Sequence, residues 1–207
     1  MIELSQDFAH ESVIGVGHHR VCFIHPQDSR LCIKVVYNHC DTADQELARE
    51  LKYYAHLQRT LRDWRGLAKF HGKVETNLGV GYVYDRILDF DMSSSKTLEQ
   101  YFTLNNIQRT AEEMQIVLTK LKQYLSENKV VTMSIKPYNI LCQRVSESEV
   151  FPVICDNIGS ATLIPLEMYS SWFYRQKLER IWNRFEKDPL VQAMYEVLRK
   201  KNLSKSK

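Results

Sequence analysis

The pattern of apolar residues changes near residue 88, and this change constrains the fold more than any other feature of the sequence. Before it, β-branched runs at 21–24 and 31–37 flank the turn-forming HPQDSR, and further apolar runs lie at 69–75 and 81–87. Such runs predict strands, and the first two predict a hairpin. The first part of the chain is therefore expected to be rich in β-structure.

Four segments have the three- and four-residue apolar spacing of amphipathic helices: 47–61, 107–125, 178–185 and 190–198. Asp41, Thr42 and Asp44 precede the first segment and are candidate N-caps. Because three of the four segments follow residue 88, we expect an α+β fold of two compact lobes. A β-rich N-lobe with one main helix would cover 1–88, and an abbreviated helical C-lobe would cover 89–198.

Three short apolar stretches also lie in the C-terminal part, at 130–133, 139–142 and 150–155. The polar SESE between the last two predicts a second β-hairpin.

The formal net charge of +3 comes from the C-terminus. Of the 28 Lys and Arg residues, five lie in 199–207, which has no acid, so 1–198 carries 23 basic against 25 acidic residues. A nucleic-acid-binding protein normally has a basic face on its folded body, so this balance argues against that class. We expect 199–207 to be a flexible, solvated tail. The alternative is a tail that docks on acidic surfaces such as nucleic acid or anionic lipid.

Composition also bears on the cellular compartment. The five cysteines are scattered and form no Cys-x-x-Cys pair, which favours a reduced cytoplasmic protein over a disulfide scaffold or a zinc site. No apolar run approaches the ~20 residues of a membrane span. The N-terminal MIELSQDFAHES has no apolar core of a secretory signal, so we expect a cytoplasmic protein without a membrane span.

Three polar features of the N-terminal part suit a phosphate-rich ligand. Gly15 and Gly17 let backbone N–H groups approach phosphate oxygens, and Arg20 adds positive charge. Lys34 interrupts the strand run LCIKVVY, and Glu50 lies beside the apolar stripe of the first helix. Each feature has a simpler interpretation: an ordinary turn, an edge-strand lysine that faces water, and a boundary glutamate.

A fourth polar feature lies in the C-terminal part. The segment TMSIKPYNILC at 132–142 contains Asn139, and Asp156 follows the apolar stretch at 150–155. An acid at the end of one strand, near an Asn that opens another, brings together the oxygen ligands that Mg²⁺ prefers. Taken singly, either residue is an ordinary turn former.

In this order, the Gly-loop, strand Lys, helix Glu, Lys-Pro-Tyr-Asn-Ile-Leu and strand-terminal Asp resemble the motifs of the protein-kinase-like fold. More closely, the chain resembles the YrbL family, the PhoP regulatory network proteins of Gram-negative bacteria. The family resemblance lies in ELKYYAHL at 50–57, GYVYD at 81–85, and the segments 130–142 and 147–159. It covers most of 1–166.

The resemblance implies ATP and Mg²⁺ as ligands and gives each candidate residue a role. The glycines of the first loop would cover the phosphates of ATP. Lys34 would hold the α- and β-phosphates and pair with Glu50. Asn139 and Asp156 would coordinate Mg²⁺, and Lys136 would face the γ-phosphate.

The sequence departs from the kinase pattern at the catalytic position. Ser134 stands where a kinase has its catalytic Asp, and a serine hydroxyl cannot accept the substrate proton as a carboxylate does. The triplet at 156–158 reads Asp-Asn-Ile instead of Asp-Phe-Gly, and only 51 residues follow Asp156. These departures favour a nucleotide-binding pseudokinase or regulator that acts through a protein partner. The alternative is an active phosphotransferase or nucleotidyltransferase with an unknown acceptor.

Overall fold

The N-terminal part forms an antiparallel sheet of five strands. The computed structural model of the chain describes residues 1–103, 107–160 and 166–205. In chain order the first elements are β1 (Val13–Val16), β2 (Arg20–Ile24), β3 (Leu31–Val36), α1 (Asp41–Thr60), β4 (Phe70–Thr76) and β5 (Gly79–Asp85). The strand order is β1-β2-β3-β5-β4. The predicted hairpin of β2 and β3 is therefore confirmed, and β1 is a strand that the sequence did not predict.

Alternation along β3 separates two faces of this sheet. Ile33 and Val35 pack on one face with Leu4, Val21 and other buried residues of the N-terminus and sheet. Cys32 lies on the opposite face and packs against α1 and the larger core. Lys34 shares the face of Cys32, because side chains two positions apart point the same way. The face that carries Lys34 is therefore the one covered by the rest of the molecule.

Helix α1 confirms the predicted apolar stripe, and its buried residues include Leu47, Tyr54 and Leu57. The predicted N-caps were wrong. Cys40 occupies the N-cap position, no side chain caps the helix there, and Asp41 is the first helical residue. Asp41 and Asp44 lie in the first turn instead, where a negative charge interacts favourably with the helix dipole.

The C-terminal part consists of helices around a three-stranded sheet. Its elements are β6 (Lys96–Thr97), α2 (Leu98–Thr103), α3 (Ile107–Asn128), β7 (Ile140–Arg144), β8 (Val150–Ile154), α4 (Ser171–Phe185) and α5 (Pro189–Lys205). Short 3₁₀ turns lie at Pro137–Asn139 and Leu166–Met168. Strands β7 and β8 form the hairpin that the sequence predicts, with β6 paired to β7.

The apolar stretch at 130–133, for which no element was predicted, forms an isolated bridge between Thr132 and Ile158. One detail of the C-terminal part differs from the prediction. Helix α5 continues to Lys205 instead of ending at Leu198. Residues 199–205 of the predicted tail are therefore helical, and 206–207 lie outside the described residues.

One large buried cluster joins the two parts of this mixed α+β fold. Tyr54 of α1 and Tyr84 of β5 belong to the same cluster as Met114 and Leu121 of α3. Backbone hydrogen bonds reinforce the connection, since the N–H of Ile154 donates to the carbonyl of Gly66 at 2.9 Å. Across the described ranges, no helix has the length and apolar character needed to cross a membrane.

Candidate functional site

A buried carboxylate on α1 is held by two partners from the sheet. The side chain of Glu50 is 2% exposed. Its Oε2 accepts a hydrogen bond from Nη1 of Arg20 at 2.8 Å, and its Oε1 accepts one from the hydroxyl of Tyr84 at 2.9 Å. Both oxygens are thus satisfied, which a buried carboxylate requires. Glu50 is therefore not a boundary residue, and that simpler interpretation was wrong.

Lys34 points from β3 toward the segment that follows β8. Its Nζ donates to the carbonyl oxygen of Cys155 at 2.6 Å and lies 3.8 Å from Oδ1 of Asp156. The ammonium also lies 4.7 Å from the centre of the Tyr84 ring, within the range of a cation–π interaction. Because β3 is the central strand of its sheet, the edge-strand interpretation of Lys34 was wrong as well.

Asp156 lies against two cations of the sheet, Arg20 of β2 and Lys34 of β3. Nη2 of Arg20 donates to Oδ1 of Asp156, and Nζ of Lys34 lies 3.8 Å from the same oxygen. Burial by itself raises the pKa of the Asp156 carboxyl, but the charges of Lys34 and Arg20 outweigh it and hold that pKa below the ordinary 3.8. For Lys34, burial opposes the charged form, yet attraction to Asp156 leaves the pKa above its usual 10.5. Asp156 is therefore an anion and Lys34 a cation at neutral pH.

The arrangement of the ion pairs differs from the one that the kinase resemblance implies. That resemblance predicts a pair between Lys34 and Glu50, but Lys34 is paired with Asp156 and Glu50 with Arg20. Arg20 is the cause, because its guanidinium is a planar fork that reaches two carboxylates at once. The guanidinium thereby links β2, α1 and the segment after β8.

The glycines lie in the segment that leads into Arg20. Gly15 is in β1, paired with Cys22, and its surroundings are open. Gly17 lies in the turn between β1 and β2, where its N–H donates to the carbonyl of Arg20 at 2.8 Å. This turn positions Arg20 as the first residue of β2.

The loop at 132–142 packs against the segment that contains Asp156. Asn157 has a left-handed backbone with a φ of 59°, and its Nδ2 donates to the hydroxyl of Ser134 at 3.1 Å. Asn139 is buried, and its carbonyl accepts the N–H of Cys155 at 3.1 Å. Lys136 precedes the 3₁₀ turn at Pro137–Asn139. The structure thus brings Ser134 and Asn139 to the segment 155–157, and Lys136 lies between these two residues in the chain.

Two residues of the cluster were missed by the sequence prediction. The hydroxyl of Tyr84 donates a hydrogen bond to Glu50, and its ring makes the cation–π contact with Lys34. The carbonyl of Cys155 accepts a hydrogen bond from Lys34. Strand register gives a signal for Tyr84, because it lies opposite Cys32, two positions from Lys34 on the same face. No sequence signal identifies the carbonyl of Cys155, since every residue carries one.

The donor atoms suit a magnesium ion that arrives with phosphates. Asp156 and Asn139 offer hard oxygen ligands, which Mg²⁺ prefers. No group of three or more His, Cys, Asp or Glu residues that could hold a metal is found among residues 1–103, 107–160 and 166–205. Protein Mg²⁺ sites of this kind use one or two carboxylates and complete their coordination with water and substrate phosphates. The residues therefore fit Mg²⁺ bound together with a nucleotide, not a metal cage built by the protein alone.

The chain is thus a mixed α+β protein. Ion pairs of Arg20 connect its five-stranded sheet to helix α1 and to the segment after β8. Comparison with known proteins then gives the family. The model of the family described as "PhoP regulatory network protein YrbL" matches residues 3–190, so the chain belongs to that family. It is 51% identical over 191 residues to the protein named "Uncharacterized protein YrbL" of Escherichia coli (strain K12). The protein of the same name from Shigella flexneri has the same identity, and in both cases the match covers 92% of this chain and 89% of the relative.

Proposed function

We propose that this protein binds Mg·ATP through a kinase-like fold and acts as a nucleotide-binding pseudokinase or regulator of the PhoP network type. The observation that carries the proposal is the meeting of Lys34, Glu50 and Asp156 in one cluster with Arg20. In kinases a lysine on the third strand, a glutamate on the following helix and an aspartate that binds Mg²⁺ must all be in place. Here the lysine lies on β3, the glutamate on α1 and the aspartate just after β8.

In this proposal each residue acts on the bound nucleotide by its charge. Lys34 would hold the α- and β-phosphates, and Lys136 would face the γ-phosphate. Asp156 and Asn139 would hold Mg²⁺, which neutralises phosphate charge when it is bound. Gly15 of β1 and Gly17 of the turn that follows would cover the phosphates.

Arg20 distinguishes this site from that of an ordinary kinase. It pairs directly with Asp156, so Mg²⁺ held by Asp156 would compete with Arg20 for that carboxylate. It also keeps Glu50 paired, which leaves Lys34 free of that carboxylate. We infer that binding and release of nucleotide change the Arg20–Asp156 contact, and that a regulatory partner reads this change.

The test is a thermal shift measured with millimolar Mg·ATP. A ligand that binds only the folded state stabilises it by RT ln(1 + [L]/Kd), about 2.7 kcal/mol at 100 times Kd. We expect an increase in Tm for the wild type and none for Lys34→Ala or Asp156→Ala, each read against its own Tm without nucleotide. Lys52→Ala, at an exposed position of α1, removes a lysine away from the site and is the matched control. A wild type without a shift, or a shift that survives both substitutions, would contradict nucleotide binding at this site.

The runner-up function is an active phosphotransferase or nucleotidyltransferase. The observation that favours it is that Lys136, Asn139 and Asp156 are retained around a loop in which Ser134 alone replaces the catalytic base. Phosphoryl transfer depends mainly on positioning and charge neutralisation, so a missing base slows the reaction without abolishing it.

A further inference from the structure

A pocket of about 240 Å³ lies between the loop 134–136 and the junction of α4 with α5. Ser134, Ile135 and Lys136 form one wall, and residues 181–189 contribute the other. Ser134 also accepts the hydrogen bond from Asn157, the neighbour of Asp156. The pocket therefore adjoins the cluster described above through the same loop, while none of Arg20, Lys34, Glu50 or Asp156 lines it.

The lining of this pocket is strongly basic. It holds three cations, Lys136, Arg184 and Lys187, against one acid, Asp188, which gives a net charge of +2. Among the ion pairs of the described residues, none involves any of these three cations. Asp188 offsets one of these positive charges, and its Oδ1 also accepts the backbone N–H of Leu190 at 3.0 Å. The pocket thus has one carboxylate for three cations.

The dipole of α4 offsets only part of this charge. Arg184 lies in the last turn of α4, where a cation interacts favourably with the negative partial charge of the helix C-terminus. That partial charge amounts to about half an elementary charge, and Lys136, from a segment 48 positions earlier in the chain, brings a further cation to the same pocket. Cations from separate segments that face one concave space repel each other, and an anion in that space relieves the repulsion.

The size of the pocket limits the ligand. Sites for drug-sized molecules span roughly 300–1,000 Å³, and this pocket is smaller. It suits a phosphate group with a few carbon atoms, but not a whole nucleotide. Lysine and arginine are the side chains that bind phosphate, the first as a point charge and the second through two parallel N–H bonds.

We propose that this pocket binds a small phosphate-bearing anion, held by Lys136, Arg184 and Lys187. The ligand would be the small molecule to which the protein responds, or the acceptor in the alternative function, and in this respect the inference rests on the proposed function. The two sites share Lys136, but binding in this pocket also uses Arg184 and Lys187, whereas nucleotide binding uses Lys34 and Asp156, so variants of these residues test the two sites separately.

The test is an NMR titration of the full chain without nucleotide, with sodium phosphate compared against sodium chloride at equal ionic strength. We expect phosphate, and not chloride, to shift the amide signals of 134–136 and of Lys187 and Asp188 in a saturable way. In the double variant Arg184→Gln/Lys187→Gln, both side chains are exposed, so the substitutions leave the core intact. Phosphate binding should weaken by about tenfold or more, since each charge-assisted hydrogen bond contributes substantially to affinity.

The matched control removes two charges elsewhere, as Lys52→Gln/Arg175→Gln. Arg175 lies on α4 nine positions before Arg184, which at 3.6 residues per turn places it on the opposite side of the helix. This variant should bind phosphate like the wild type. Equal shifts with phosphate and chloride, or unchanged binding in the Arg184→Gln/Lys187→Gln variant, would overturn the proposal.

A second titration, with glycerol phosphate, distinguishes the sources of the phosphate group. Tighter binding than inorganic phosphate indicates a phosphorylated small molecule, and equal binding indicates free phosphate; both support the site. If the protein binds phosphate in this pocket but shows no thermal shift with Mg·ATP, the phosphate site is supported and the proposed nucleotide binding is contradicted. If the protein shows the thermal shift with Mg·ATP but does not bind phosphate in this pocket, nucleotide binding is supported and the phosphate site is overturned.

Discussion

Arg20 and Glu50 form an ion pair across 30 positions of sequence, with 2.8 Å between Nη1 and Oε2. The glutamate side chain is 2% exposed and the arginine side chain 18%. The same guanidinium binds Asp156, 136 positions away, so one side chain fixes α1 and the segment after β8 relative to the N-terminal sheet. Removing one partner of a buried carboxylate lowers the free energy of unfolding, because the remaining charge is left without compensation.

Replacing Arg20 with methionine should destabilise the protein strongly. Arg20→Met leaves Glu50 with the Tyr84 hydroxyl alone and leaves Asp156 with Lys34, so a buried charge loses most of its compensation. Breaking a buried pair from one side costs about 3–5 kcal/mol. Urea unfolding at neutral pH measures the loss. Arg30→Met is the control, because Arg30 pairs with Asp28 at the surface and its removal should leave the unfolding midpoint unchanged. Equal midpoints for the two variants would contradict the prediction.

The lowered pKa of Asp156 predicts a specific dependence of stability on pH. A carboxyl whose pKa is lower in the folded state than the ordinary 3.8 is protonated more readily when unfolded, so acid favours unfolding. Its contribution is fully present above about pH 5 and is lost as the pH falls through the folded-state pKa. Asp156→Asn lacks this contribution at every pH.

Urea unfolding of the wild type and of Asp156→Asn between pH 7 and pH 3 measures this dependence. Other carboxyls with lowered pKa values, such as Asp63, are present in both proteins and cancel in the difference. The stability difference between the two proteins should be constant from pH 7 to pH 5 and shrink below pH 4. A difference that stays constant into acid would show that Asp156 is not held as an anion by Lys34 and Arg20.

Gly159, three residues after Asp156, should not tolerate a side chain. Its φ is +113°, and a Cβ added there would lie 3.3 Å from the Cβ of Tyr53. Its N–H also donates to the carbonyl of Val131 at 2.9 Å, so the backbone cannot move without loss of that bond. Backbone strain of this kind costs on the order of 1–3 kcal/mol, and Gly159→Ala should show it in thermal or urea unfolding. Gly15→Ala is the matched control, because a Cβ at Gly15 meets nothing within 4 Å. Similar losses in both variants would indicate a general intolerance of glycine replacement instead.

The features that were predictable from sequence are those that local periodicity determines. The apolar stripe of α1, the helix α3 and the two hairpins follow from spacing within a few turns or strands. The pairing of Arg20 was not predictable, because it depends on where the turn between β1 and β2 places the side chain relative to distant segments. The extension of α5 into the basic segment 199–205 has a local cause, although the charge of that segment predicted a flexible tail. No Gly or Pro follows Leu198, so nothing ends the helix before Lys205.

The proposed function, in which Ser134 takes the place of a kinase's catalytic base, predicts how the protein acts on ATP. The hydroxyl of Ser134 accepts the amide N–H of Asn157 and has no carboxylate character with which to accept a substrate proton. With ATP labelled at the γ-phosphate, and separately at the α-phosphate, we expect no transfer or hydrolysis by the wild type above that of Asp156→Ala. General-base catalysis contributes about 10²–10⁴-fold in rate. Ser134→Asp should therefore raise the release of γ-phosphate by that order, because Lys136, Asn139 and Asp156 are already present.

The double variant Ser134→Asp/Asp156→Ala is the control for that gain, since it has a carboxylate at 134 but lacks the proposed Mg²⁺ ligand. Its activity should return to the level of Asp156→Ala alone. γ-Label transferred by the wild type but not by Asp156→Ala would instead establish a phosphotransferase, and α-label a nucleotidyltransferase. In either case the pseudokinase function would be wrong, and the position of Ser134 would mark an active site that works without a carboxylate base.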